Sequence, residues 1–270
     1  MGLVVIQARL SSSRLAGKVL LPILEKPVIY HVVKRAKAAG VGEVILAIPD
    51  NVLDEPLARF AEEIEIGCYK GSEKDVLDRY YRAALPHKPD YVVRLTSDCP
   101  CLDSAVIRDT VDFFLTQRAD YAASDSRNTF YHGTDTEVFT FDALIEAAEC
   151  AQKDYQREHV TPYIREKSGF SRCIYDGGIK PDEIIPRIRA TLDTKEDYIV
   201  IKAIFELLGE NFSHSDVVEL FKRYTWLSDI NSAIMQKKIY QDETEEIAAA
   251  AKLLRLQEMK RAAAYLDKLL

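Results

Sequence analysis

Acidic side chains are missing from residues 1–24, although the chain holds 43 Asp and Glu against 36 Lys and Arg and a net charge of −7. Arg9, Arg14 and Lys18 therefore stand unopposed near the start. Glycine is scarce in the same region. Gly17 alone lies between Gly2 and Gly40, which excludes the G-x-G-x-x-G dinucleotide fingerprint. A Walker A loop fails twice, because Ser12 replaces its first glycine and Val19 its Ser or Thr. No apolar run approaches the ~18 residues of a membrane span. Arg9 and Arg14 also interrupt any secretory apolar core near the start. These absences predict a cytoplasmic chain without a membrane partner. Net acidity argues against nucleic-acid binding, which needs a broad basic surface. The cysteines (Cys68, Cys99, Cys101, Cys150 and Cys173) are odd in number and scattered, which suits reduced thiols better than a disulfide framework.

What is present is a soluble globular composition, 47% apolar and 29% charged over 270 residues. That length suits one large domain, or one domain with an appendage. Strand-like and helix-like stretches alternate, which predicts an α/β fold with a mostly parallel sheet and flanking helices. Strands are expected at Leu3–Ile6, Val44–Ile48, Ile64–Cys68, Tyr91–Leu95, Asp120–Ala123, Glu137–Thr140, Arg172–Tyr175 and Ile188–Leu192. Helices are expected from Pro27 to Ala39, from about Asp54, from Gly71-Ser72 to about Leu85, over Ser104–Gln117 and Phe141–Cys150, and through much of 157–167. Thr194 with Asp197 forms a capping-box pattern for another. Residues 243–270 contain neither glycine nor proline and read as one long helix. Leu256, Met259, Ala263, Leu266 and Leu270 form a seam on it, which predicts a homodimer, with packing onto its own domain as the alternative. The expected division is an α/β domain over 1–240 and a helical extension over 241–270.

Three places could carry chemistry. The cationic stretch after the first strand is a plausible anion seat, since open α/β sheets bind ligands beyond the carboxyl ends of their strands. Asp98 follows the strand Tyr91–Leu95, and Asp193 follows the run ending at Leu192. Each carboxylate could hold a divalent cation beside phosphates, and each could equally cap a turn or helix. Gly71 and Ser72 open a helix on which Asp75 and Arg79 stand one turn apart, where they could simply pair. Farther along, Glu137, Glu158, His159 and Arg165 are the polar groups of HGTDTEVF (132–139) and REHVTPYI (157–164). Arg165 could fork onto a carboxylate or join a surface ion pair.

The opening IQARLSSSRLAGKVL (6–20) resembles the IQARxxSxRLPGKVL entry of the CMP-sugar synthetase and acylneuraminate cytidylyltransferase family, within it the SpsF-like group. Ala16 departs from the family's proline. Thr96–Pro100 and Thr191–Asp197 match that group's TxDxP and TxDTxxD segments, and the resemblance extends over roughly 3–235. It implies a single domain of the nucleotide-diphospho-sugar transferase type, GT-A-like, with a twisted, mostly parallel sheet. It implies a reaction of CTP with a sugar acid to give a CMP-sugar and pyrophosphate, with Mg2+ as cofactor. Asp98 and Asp193 would be metal ligands, and with Arg9 and Lys18 they would be catalytic. Ala8, Arg9, Ser13, Arg14, Lys18, Gly71, Ser72, Asp75 and Arg79 would bind nucleotide, and Glu137, Glu158, His159 and Arg165 the sugar. Two alternatives share the fold: a glycosyltransferase using a nucleotide sugar, and a catalytically silent nucleotide-binding protein.

Overall fold

A computed structural model describes residues 1–125, 128–178, 187–234 and 243–269. The chain falls into two compact units, Met1–Gln152 with Gln156–Ile234, and Lys153–Tyr155 with the described part of Met235–Leu270. In the first unit the apolar opening becomes β1 (Gly2–Gln7), and β2 (Pro22–Ile23) and β3 (Lys26–Pro27) make a small hairpin. The helix α1 (Val28–Ala39) precedes β4 (Glu43–Pro49), α2 (Glu55–Glu63), β5 (Gly67–Gly71), α3 (Val76–Ala84) and β6 (Tyr91–Thr96). Next come α4 (Ser104–Gln117), β7 (Tyr121–Ser124), β8 (Glu137–Thr140), α5 (Phe141–Cys150), α6 (Asp154–His159), α7 (Pro162–Glu166) and β9 (Arg172–Tyr175). The helices α8 (Lys195–Leu208), α9 (His214–Arg223) and α10 (Leu227–Ile230) follow among the described residues, and of α6 only the part from Gln156 on belongs to this unit.

The sheet runs β5-β4-β1-β6-β8-β7-β9. Its first four strands are parallel, β8 lies antiparallel between β6 and β7, and β9 is parallel to β7. β1 is central and covered on both faces, which is why it reads as a continuous apolar run rather than an alternating one. Val4 and Ile6 pack with Val32, Ala36, Ile107 and Val111 of α1 and α4. Leu3 and Val5 pack with Leu77, Tyr80 and Leu144 of α3 and α5 on the other side. A third cluster joins Ile23 and Leu192 to Val200, Ile204 and Phe221 of α8 and α9.

Several boundaries differ from the sequence expectations. The third strand begins at Gly67 and not Ile64, because Ile64 ends α2 and Glu65 turns the chain with φ 53°. Gly71 closes that strand, so α3 starts only at Val76, with Asp75 capping the Asp78 N–H. Val160, at φ 69°, divides 157–167 between α6 and α7.

The expected strand Ile188–Leu192 is not a strand. It makes a single bridge, Arg189 with His132, and its N–H groups go to loop carbonyls: Ala190 to His132 at 2.8 Å and Leu192 to Asp98 at 2.8 Å. Gly133 permits this approach, since a Cβ there would lie 2.6 Å from the Ala190 oxygen. In the second unit the described residues 243–269 are not one helix but α11 (Glu243–Leu256) and α12 (Lys260–Leu266), broken where Glu258 takes φ 60°; Leu270 of the expected seam lies outside the described residues. The break falls between Leu256 and Met259, so the expected seam is not continuous. Among the described residues no helix is long and apolar enough to cross a membrane.

Candidate functional site

β1 and β6 are parallel neighbours in which Gln7 pairs with Thr96, so the segments that follow them leave the sheet at one edge. After β1 the chain closes on Leu10, whose carbonyl accepts from Ser12 N (2.9 Å) and Gly17 N (3.1 Å). Gly17 takes φ 64°, a conformation that costs glycine little, and a 3-10 turn over Lys18–Leu20 follows. After β6, Ser97 N bonds the Gln7 carbonyl at 3.1 Å. The bond from Leu192 N to Asp98 O then brings the 189–193 segment alongside.

Lys18 stands between the two aspartates. Its Nζ donates to Asp98 Oδ2 at 2.6 Å and to Asp193 Oδ1 at 2.9 Å. The other Asp193 oxygen meets Arg14 Nη2 at 3.0 Å and Arg189 Nη2 at 2.8 Å. Behind them, buried Asp197 accepts from Arg189 Nε at 2.9 Å and Asn231 Nδ2 at 2.9 Å while completing the capping box of α8. Burial works against the charge on Lys18, but Asp98 and Asp193 outweigh it and raise its pKa. Burial likewise opposes ionisation of Asp193, and Lys18, Arg14 and Arg189 hold its pKa below the ordinary carboxylate range. Lys18 and Asp193 are thus both held in their charged forms, with Lys18 between the two carboxylates and Arg14 and Arg189 on the far oxygen of Asp193.

Among the described residues no group of three or more His, Cys, Asp or Glu side chains could hold a metal ion. Asp98 and Asp193 nevertheless present hard oxygen donors, and the Lys18 ammonium between them stands where a cation would. That donor set suits a hard divalent ion completed by ligand oxygens and water, provided Lys18 moves to the incoming anion.

Of the other expected nucleotide residues, Ala8 is buried, its N–H bonded to Ala47 O at 3.2 Å. Ser13 and Arg9 are exposed, and Arg9 lies within electrostatic range of Arg79. Arg79 is 2% exposed and donates from Nη1 to Ser72 O at 2.7 Å. It does not pair with Asp75, which is taken by Arg157 Nε at 2.9 Å. Gly71 ends β5 directly before this turn.

On the proposed sugar side, Glu137 opposes Arg94 across β6 and β8 and is ion-paired with it. Its Oε1 accepts from Tyr121 OH at 2.5 Å and Thr161 Oγ1 at 2.7 Å. Burial acts to raise its pKa, but Arg94 and these hydroxyl donors hold it below the usual range. Glu137 is therefore committed to protein partners. Glu158 and His159 are half-buried on α6, and Arg165 is exposed on α7 within electrostatic range of Glu137. Glu137→Ala would leave Arg94, whose side chain is 16% exposed, without its counter-charge, and a loss of about 3 kcal/mol in unfolding free energy is expected by urea denaturation. A change below about 1 kcal/mol would show that Arg94 finds another partner.

Sequence reasoning missed Arg94, Arg189 and Asp54. Arg189 carried a usable signal, since it lies four residues before Asp193 and eight before Asp197.

Comparison with known proteins identifies the family and the fold. The sequence matches the cytidylyltransferase family over residues 3–245. It is 31% identical to the spore coat polysaccharide biosynthesis protein SpsF of Bacillus subtilis, over 82% of this chain and 94% of SpsF. A cytidylyltransferase structure from Leptospira borgpetersenii superposes with TM-score 0.77 at 30% identity, covering 89% of this chain and 99% of that one. A CMP-2-keto-3-deoxy-manno-octonic acid synthetase solved with CTP shares the fold, with TM-score 0.57 at 18% identity over 76% of this chain and 98% of the other. With residues 3–245 matched, nearly the whole length, this chain belongs to the cytidylyltransferase family.

Proposed function

We propose that this cytidylyltransferase transfers a cytidylyl group from CTP to a hydroxyl of a sugar acid, releasing pyrophosphate and a CMP-sugar for surface polysaccharide synthesis in the cytoplasm. The observation that carries this reading is the placement of Lys18 between Asp98 and Asp193, with Arg14 alongside. An acceptor oxygen would attack the α-phosphorus in line as pyrophosphate leaves, a reaction served mainly by positioning and charge neutralisation. Lys18, Arg14 and Arg9 would turn to the β- and γ-phosphates and take up the charge that develops on the leaving group. Magnesium held by Asp98 and Asp193 would act as a Lewis acid toward the phosphate oxygens.

Ala8 and Ser13 would border the phosphates through the loop backbone. The turn Gly71-Ser72, with Asp75 and Arg79 behind it, would border the base and ribose. Glu158, His159 and Arg165 would face the acceptor, with Arg165 offering a fork to its carboxylate. Glu137 would fix Arg94 and the Thr161 hydroxyl beside them. SpsF, named for polysaccharide biosynthesis, supports the assignment of the product's destination.

Pyrophosphate release measured across CTP, UTP, ATP and GTP, each with 3-deoxy-manno-octulosonate, N-acetylneuraminate and other sugar acids, tests the reading. CTP-selective release that requires the acid is expected. Absence of release with all four triphosphates, together with tighter binding of a nucleotide sugar than of CTP, would reassign the chain to glycosyl transfer. CTP binding without turnover on any acid would make it a binding protein.

A further inference from the structure

We infer that Asp54 is a positioning residue that sets Lys18 through the backbone of the cationic loop, an inference that rests on the CTP reading above. Asp54 stands at the N-cap position of α2, where an aspartate ordinarily accepts from the first-turn N–H groups, yet its side chain makes no cap bond. Its Oδ1 instead accepts from Leu10 N at 2.6 Å, across 44 residues of sequence. The carboxylate is fully buried, and among the described residues its Oδ2 has no hydrogen-bond partner. Asn51 Oδ1 accepts from the Asp54 N–H at 2.9 Å and fixes this end of the turn.

Leu10 is the closure point of the loop. Its N–H goes to Asp54, while its carbonyl receives Ser12 N and Gly17 N, and Lys18 is the next residue after Gly17. A continuous run of hydrogen bonds thus links Asp54 to the backbone that presents the Lys18 ammonium. A buried carboxylate with one unsatisfied oxygen is unfavourable to retain for stability alone. Its one directed bond falls on the closure point of the cationic loop, and this assigns it to positioning.

The test reads the ratio of CMP to CTP dissociation constants by calorimetry, since Lys18 is proposed to meet phosphates that CMP lacks. Asp54→Ala is expected to lower that ratio about tenfold, the size of one lost buried hydrogen bond. Asp54→Asn, whose amide oxygen can still accept from Leu10 N, should recover most of it. In a Lys18→Ala background, Asp54→Ala should add little, because both changes remove the same phosphate contact. A merely structural role predicts a lower melting temperature with an unchanged ratio, or a fully additive double mutant, and either result overturns the inference. Should Asp54→Ala fail to fold, Asp54→Ser carries the same comparison. Lys18→Ala alone tests the CTP reading separately. A normal ratio in that variant beside a lowered one in Asp54→Ala would show that Asp54 does not act through Lys18.

Discussion

Asp98→Asn and Asp193→Asn are each expected to lower turnover about a hundredfold or more, because a metal clamp stabilises transition-state charge by several kcal/mol and each 1.36 kcal/mol is tenfold. The geometry adds a sign to this expectation. Both carboxylates now share Lys18, and Asp193 also holds Arg14 and Arg189. Removing either negative charge frees cations for phosphate. CTP affinity measured without divalent ions should therefore be unchanged or tighter, while turnover with magnesium collapses. A role limited to capping predicts the reverse, a destabilisation of about 1 kcal/mol with turnover nearly retained. Turnover within a fewfold of the parent for either variant would remove that residue from the metal site.

Lys18→Ala is expected to weaken CTP binding about thirtyfold, taking about 2 kcal/mol as the lower end for a partly desolvated charged contact. CMP binding should change less than about threefold, since the lysine is proposed to meet the outer phosphates. The same substitution removes the ammonium from between Asp98 and Asp193, so the nucleotide-free protein should bind Mn2+ more tightly than the parent. Equal losses for CMP and CTP would place Lys18 away from those phosphates. An unaltered Mn2+ affinity would mean that the ammonium and a metal ion do not contest the same oxygens.

Much of this was legible in the chain itself. The run Leu3–Ile6 announced a central strand because burial on both faces leaves no polar alternation, and Asp98 followed an equally plain strand. The cations of the first loop were visible from the missing acids around them. What stayed hidden depends on contacts between distant residues. The segment Ile188–Leu192 has strand composition, yet its N–H groups bond to loops after β6 and before β8, and no local pattern marks that choice. Asp54 precedes Glu55-Pro56 and reads as an ordinary cap, because its bond to Leu10 joins residues 44 apart. Glu137 looked available for a sugar because its partners Arg94, Tyr121 and Thr161 come from three other elements or loops. The helix break at Glu258 had no glycine or proline to announce it.

In the proposed reaction, nucleotide phosphates and a divalent cation would meet at Asp98 and Asp193 once Lys18 turns to the phosphates. Water-proton relaxation enhancement by Mn2+ tests this most directly, recorded with protein, with CTP and with both. Strong enhancement is expected in the three-component mixture for the parent. For the Asp98→Asn/Asp193→Asn double variant it should be lost, while that variant still binds CTP in the absence of metal. Equal enhancement from parent and double variant would contradict the account and put the cation elsewhere.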